Sequence, residues 1–265
     1  MRLSALYIHP VKSCASLALD EAEVRPRGLA HDRRWLIVDA TGRFLTGRQL
    51  PALVRLRATP RADGLTLDAP DMPTLHVPHP PADAPRVQVQ VWKDSVDAAL
   101  ADAAAAHWLT QWLGRPVRLV HMDPGARRPV RPDLSRPGDL VSFADSFPLL
   151  ALSQSALDQL NAKLATPVPI TRFRPNLVID GCGPHAEDGW RRIRIGAVEF
   201  DVSRQCVRCV FTTVDTERGA PDPSGEPLNT LKGYRRGDSG VTFGVHLIAR
   251  GGGTLRVGDA VTVLA

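Results

Sequence analysis

The chain of 265 residues is short of several things, and each shortage excludes a class of protein. Its four cysteines, at 14, 182, 206 and 209, are too few and too scattered for the disulfide framework of a secreted domain, which leaves the thiols to redox chemistry or a metal. Aromatic residues make up 5%, with two tyrosines. A nucleic-acid surface interleaves stacking rings with clustered basic residues, so no nucleic-acid partner is expected. No apolar run approaches the roughly 18 residues of a membrane span. Met1 to Pro10 also lacks the charged region, apolar core and cleavage site of a secretory signal, so a cytoplasmic protein without a membrane partner is expected. Lysine is scarce as well: Lys12, Lys93, Lys163 and Lys232 stand against 29 arginines.

What is present is ordinary for a globular protein, with 43% apolar and 23% charged residues. The net charge of +5 and the arginine excess suit anion binding, although biased composition accounts for most of the excess. Leu3 to His9, Arg34 to Val38, Val54 to Ala58, Gly64 to Asp68 and Arg86 to Trp92 read as strands. Val87, Val89 and Val91 give a clean period of two. Ala40 to Arg43 reads as a hairpin connection to Phe44–Thr46. A helix is predicted from near Asp97 through Leu100, Ala104, Trp108 and Trp112 to Gly114, and a second from Ser153 with Leu157, Leu160 and Leu164 on one face. Strands then resume at Asn176–Asp180, Arg192–Ile195, Val198–Val202, Arg208–Val214, Phe243–Ala249, Thr254–Val257 and Ala260–Leu264, a pattern that suits a small barrel. Two proline-rich stretches interrupt this series. Ala69–Pro85 reads as a surface excursion, and Asp123–Gly138, with Arg127, Arg128, Arg131 and Arg136, as a linker or a basic lid. The expected fold is α+β and mostly β, divided near residue 120 into units 1–120 and 121–265.

The strongest chemical signal is Cys206-Val-Arg-Cys209 beside Arg204 and Arg208, whose charges favour a thiolate. It reads as a redox dithiol, as half of a zinc site, or as one functional cysteine with a bystander. Cys182-Gly-Pro-His185 would complete a zinc ribbon by spacing, although Val210 to Thr213 read as continuing strand where a zinc knuckle turns. A second constellation lies in the N-terminal half: His9-Pro-Val-Lys12-Ser13-Cys14, His31-Asp32-Arg33-Arg34-Trp35 and Thr46-Gly47-Arg48-Gln49. Lys12 and Ser13 could bind a phosphate as charge plus hydroxyl, and Arg33 and Arg48 bidentately. Arg172-Phe-Arg174-Pro-Asn176 adds a basic turn and an amide that could read a heterocycle. The spacing of a nucleoside-triphosphate loop is absent.

In this order, with Ala186-Glu187-Asp188-x-Trp190, Cys-x-Arg-Cys-x-x-Thr-Thr-Val-Asp, Glu226-Pro-Leu-x-Thr-Leu-Lys-x-Tyr234 and Phe243-Gly244, the motifs resemble those of MOSC-domain molybdenum enzymes. They are similar to the mitochondrial amidoxime reducing component and bacterial YcbX-type proteins, and the resemblance runs from Ile8 to Leu264. It implies an N-terminal β-rich domain, a C-terminal MOSC β-barrel and a molybdenum cofactor, Mo-molybdopterin, between them. Pyridoxal phosphate is not expected. Residue by residue, it implies that the Cys206 thiolate ligates molybdenum and that Cys209 does not. Lys12, Ser13, Arg33 and Arg174 would hold the cofactor, chiefly its phosphate, with Asn176 as a polar contact. Asp145 and Ser146 fall where a cofactor-contacting pair lies. Arg204 and Gln205 would offer backbone contacts, and Arg48, Thr212 and Asp215 would support the site. The implied activity is reduction of N-hydroxylated compounds such as amidoximes, hydroxylamines and N-hydroxylated bases, by oxygen-atom abstraction at molybdenum. The alternative is a cofactor carrier or sulfur-transfer role. Neither the ferredoxin domain of some bacterial relatives nor the anchor of the mitochondrial ones is expected. Electrons are thus expected from a separate ferredoxin, flavoprotein or cytochrome b5-like partner, for which a basic surface is suited.

Overall fold

The fold was analysed on a computed structural model that describes residues 1–265. Trp35–Val38 is a strand buried on both faces. Trp35 and Ile37 point into one apolar cluster, Leu36 and Val38 into another, as the alternation of side chains along a strand requires. It forms a four-stranded sheet with Arg118–His121, Asp94–Leu100 and Arg86–Val91, in that spatial order. Helix α1, Ala103–Leu113, covers one face. The Asp102 carboxylate caps it by accepting from the Ala105 N–H at 2.8 Å, and Gly114 ends it in the left-handed conformation.

The helix therefore begins later than the sequence suggests. Asp94–Leu100 pairs with Arg86–Val91, Val96 opposite Val89, because the period-two face of the first strand needs an equally alternating partner. The segment expected as a strand over Val54–Ala58 is instead a 3-10 turn, Pro51–Arg55, followed by the strand Arg57–Arg61. Within Ala69–Pro85, Leu75–Pro78 is the third strand of a small sheet with Arg57–Arg61 and Gly64–Asp68, pinned by the fully buried Val77.

The second sheet runs Leu17–Leu19, Arg2–Ile8, Leu177–Asp180, Leu149–Ser153, Gly240–Ala249, Val198–Val207, Arg192–Ile195 and Val261–Val263. It closes on itself, since Arg2 faces Ala260 and the Val261 N–H donates to the Met1 carbonyl at 3.0 Å. Closure leaves no long unpaired edge. Its interior holds 19 buried residues, among them Leu6, Phe200 and Leu247. The strands do not separate at residue 120, because Arg2–Ile8 is built into the C-terminal sheet. Helix α2, Gln154–Asn161, crosses between the parallel strands Leu149–Ser153 and Leu177–Asp180. A short helix that the sequence reading missed, α3 (Leu228–Tyr234), packs Leu231 beside Phe243. The strand expected over Arg208–Val214 stops at Val207, and Val210–Thr213 forms a 3-10 turn. The stretch 123–138 is packed down at Ala126, Arg128 and Val130, all buried, so it is not a free lid at those points. No helix is long and apolar enough to cross a membrane.

Gly244 lies within the strand Gly240–Ala249 at φ +79°, where an added Cβ would meet the Ala151 carbonyl oxygen at 2.6 Å and collide with the Leu152 side chain. Left-handed strain of about 1–2 kcal/mol plus overpacking of about 1–3 kcal/mol predicts that Gly244→Ala lowers unfolding stability by about 2–5 kcal/mol. Urea denaturation checks this, and a loss below about 0.5 kcal/mol, the size of an ordinary surface effect, would contradict it.

Candidate cofactor site

A cleft lies where the loops of both sheets meet. The strand Arg2–Ile8 delivers Lys12 and Ser13 to it, the turn after Gly28–Leu29 delivers Arg33, and the segment after Phe173 delivers Arg174 and Asn176. Cys206 enters near the end of the strand Val198–Val207. Arg48, Asp145 and Ser146 also line the cleft. All the sequence-derived candidates therefore converge except Arg204, Gln205 and Asp215. The first two are paired along the sheet with His246 and Val245, and the Gln205 side chain is exposed outside the cleft.

Six cationic side chains and one carboxylate face this space, counting Arg172 and Arg208 with Lys12, Arg33, Arg48 and Arg174. Such crowding of like charge is costly without an anion. Asp145 offsets part of it, its Oδ1 accepting from Lys12 Nζ at 2.5 Å and from the Trp92 indole at 3.2 Å. Burial draws the Lys12 ammonium down to about 8, and Asp145 opposes that fall. Burial likewise lowers Arg174 to about 10, with Arg33 adding repulsion. Arg174 donates to the Cys14 carbonyl at 2.5 Å while its other terminal nitrogen is enclosed without a partner. An enclosed donor with nothing to bind is a ligand-seeking group.

The backbone is strained at the same place. Ser13, Arg33 and Arg174 all adopt φ between +50° and +67° without being glycine. Such residues cost about 1–3 kcal/mol each and persist where the surroundings fix them. Here the fixing is visible. Asp32, fully buried, accepts from the His9 N–H at 2.7 Å and from Arg33 at 2.5 Å. Asn176 Oδ1 accepts from Arg33 at 3.0 Å and from the Leu150 N–H at 3.2 Å, and its Nδ2 donates to the Tyr7 carbonyl at 3.1 Å. Asn176 is thus mostly occupied in bracing the cleft wall.

Cys206 is 7% exposed, with the Arg208 guanidinium donating to its sulfur at 2.8 Å. Burial pushes the thiol up, but Arg208 and then His246 outweigh it and bring Cys206 down to about 6, so it is a thiolate at neutral pH. Cys14, buried without such partners, is pushed up to about 12. Cys209 is exposed at the rim. The zinc reading fails on placement: no group of three or more potential ligands forms, and His185 bonds Gln159 at 3.0 Å. Arg208 and His246 join the site without having been expected there from sequence. Arg208 was visible inside the Cys-x-Arg-Cys motif. His246 carries no local signal, because only its register opposite Arg204 brings it to the cleft, where it stacks on Phe147 with centroids 4.7 Å apart. Thr212 lines the cleft, whereas Asp215 stands behind it, bound to Arg172 at 3.1 Å.

The MOSC N-terminal beta barrel domain family matches residues 1–116, and the MOSC domain family matches residues 139–262. The chain belongs to the MOSC family. It is 38% identical over 279 residues to mitochondrial amidoxime-reducing component 1 of Mus musculus, which covers 99% of this chain and 82% of that protein. The Homo sapiens protein of the same name is 38% identical over 280 residues with the same shares. Mitochondrial amidoxime reducing component 2 of Bos taurus is 35% identical over 277 residues, covering 98% of this chain and 82% of that protein. MOSC proteins of this kind typically bind the molybdenum cofactor.

Removing Arg208 takes away the nearest charge holding the thiolate. In the cofactor-free protein, Arg208→Ala is expected to move the midpoint of Cys206 alkylation upward from about pH 6 toward the ordinary thiol value near 8.5. Iodoacetamide labelling against pH, read at the Cys206 peptide by mass spectrometry, checks this. An unmoved midpoint would show that Arg208 does not set the charge.

Proposed function

We propose that this MOSC protein is a molybdenum-cofactor-dependent reductase of N-hydroxylated compounds, with amidoximes, hydroxylamines and N-hydroxylated bases as its substrate class. The observation that carries the reading is the presence in one cleft of a soft thiolate, Cys206, and a cationic set in which Arg48 and Arg174 have no carboxylate partner and Arg174 holds an enclosed, partnerless guanidinium nitrogen. A phosphorylated dithiolene cofactor asks for this combination, since its phosphate needs hard cationic donors and its metal favours sulfur. The donor set fits.

Lys12, Ser13, Arg33 and Arg174 would hold the phosphate, with Arg48 and Ser146 at the open side and Asn176 bracing them from behind. Cys206 would ligate the metal. When bound, the group supplies two-electron transfer of an oxygen atom. The chain's own share is to bind, orient and keep charge in place. Arg208 keeps Cys206 deprotonated at neutral pH, so that loading a metal displaces no proton from it. The Phe147–His246 stack and Phe173 give the cleft its apolar walls. Phe211 packs directly on Gly47, where a Cβ would collide with the ring, and so joins the Cys206–Cys209 turn to the N-terminal half.

Electrons would come from a separate protein, a ferredoxin, a flavoprotein or a cytochrome b5-like carrier. The chain's own cysteines are dispersed, and the +5 charge suits an acidic donor. A small-molecule substrate and this carrier are the two partners proposed.

With chemically reduced, molybdenum-loaded protein and benzamidoxime as substrate, Cys206→Ser is expected to abolish reduction and Cys209→Ser to leave it. The reverse result would overturn the ligand assignment. Wild-type protein that holds molybdenum yet reduces no N-hydroxylated compound would overturn the reductase reading in favour of a cofactor carrier.

A further inference from the structure

Trp92 has no place in the reading above, yet its position needs a cause. It occupies the two-residue turn between Arg86–Val91 and Asp94–Leu100 at φ +56°, with 44% of its surface exposed. Glycine or asparagine is the ordinary choice there, and a bulky side chain at positive φ is an outlier. Neither hairpin stability nor core packing asks for an exposed indole in a strained turn.

The contacts of the ring supply the reason. The Arg48 guanidinium carbon lies 4.4 Å from the indole centroid. Arg48 lines the cleft but makes no ion pair and donates no hydrogen bond within the protein; it stacks on the ring and meets the Asp145 carboxylate only at longer range. The indole in turn is fastened. Its N–H donates to Asp145 at 3.2 Å, and Phe44 packs edge-on with centroids 5.0 Å apart. Beneath it, buried Arg128 pairs with Asp94 at 2.7 Å and donates to the carbonyls of Ser142 and Asp145, each at 2.9 Å, and of Ala144. One guanidinium therefore ties the hairpin tip and the cleft-wall loop 142–145 together.

We propose that Trp92 is a positioning residue for the anionic part of whatever fills the cleft: its indole, anchored by Asp145 and the Arg128 clamp, holds the otherwise free Arg48 guanidinium at the cleft mouth for a phosphate. The proposal rests on reading the cleft as an anion site. It adds a stacking requirement at a residue outside the cleft lining, where charge alone would be satisfied by any arginine.

The test is a double-mutant cycle on the cofactor-free chain, with inorganic phosphate as the probe and calorimetric titration as the readout. Trp92→Ala is expected to weaken phosphate binding about tenfold, the scale of a lost cation–π contact at a partly desolvated site, and Trp92→Phe to restore most of it. In an Arg48→Ala background, Trp92→Ala should cost nothing further, since its effect passes through Arg48. Wild-type affinity in Trp92→Ala, or a full additive loss in the double variant, would overturn the proposal. If Trp92→Ala lowers the thermal midpoint enough to confuse the reading, Trp92→Phe decides: affinity near wild type supports the stacking role and a loss equal to Arg48→Ala refutes it. Molybdenum per chain, measured on protein from cofactor-producing cells, is the separate arm. Wild-type protein that binds neither phosphate nor molybdenum overturns the anion-site reading itself. Wild-type binding with uncoupled variants overturns only the part assigned to Trp92.

Discussion

The antiparallel pairing of Arg2–Ile8 with Leu177–Asp180 is the constraint on which the site depends. Because the first strand of the chain is stitched into the C-terminal sheet, the residues that follow it, His9 to Cys14, emerge beside Arg174–Asn176. The two halves of the sequence then brace each other. His9 Nε2 bonds the Pro175 carbonyl at 3.1 Å, and Arg33 bonds both Asn176 and the Arg174 carbonyl. Without that pairing, the cations of the N-terminal half and the thiolate of the C-terminal half would have no common space.

That space is expensive to maintain empty of an anion. Arginines crowd it, three non-glycine residues are held at positive φ, and guanidinium nitrogens of Arg172, Arg174 and Arg208 are enclosed without an acceptor. Each of these is a cost in the folded protein; a bound phosphate would relieve the charge crowding and the unpaired Arg174 donor, while hydrogen bonds from Asp32 and Asn176 help hold the strained wall. The same field has a second effect at the other wall, where Arg208 and His246 keep Cys206 ionised against its burial. Cys14, near Arg174 but without a donor on its sulfur, moves in the opposite direction. Burial is common to both thiols, so the difference comes from the charges placed beside them.

The sequence made much of this readable, for reasons that differ by element. Period-two strands such as Gly64–Asp68 and Arg192–Ile195 were legible because one face is apolar, and the mostly β architecture followed from them. The candidate residues were legible because they sit in compact motifs, and nine of them line one cleft. Asp97–Leu100 was misread because alanine-rich sequence suits a helix until a partner strand claims it. The Val210–Thr213 turn reads as strand from sequence because branched residues favour strands, but here Thr212 and Thr213 bond back to the Cys209 and Val210 carbonyls. Arg128 reads from sequence as part of a linker or basic lid, and only the fold shows that its donors are spent on Asp94 and the cleft-wall loop. His246 and Trp92 depend on register and on a turn, which no local pattern encodes.

The central claim is that the two halves of this chain build one anion cleft with Cys206 as its metal ligand. A crystal structure of the molybdenum-loaded protein, phased at the molybdenum edge, tests it most directly. The account predicts a single anomalous peak within bonding reach of the Cys206 sulfur, with a phosphate among Lys12, Ser13, Arg33 and Arg174. Molybdenum bound through Cys209, or held beside Cys182 and His185, would contradict it.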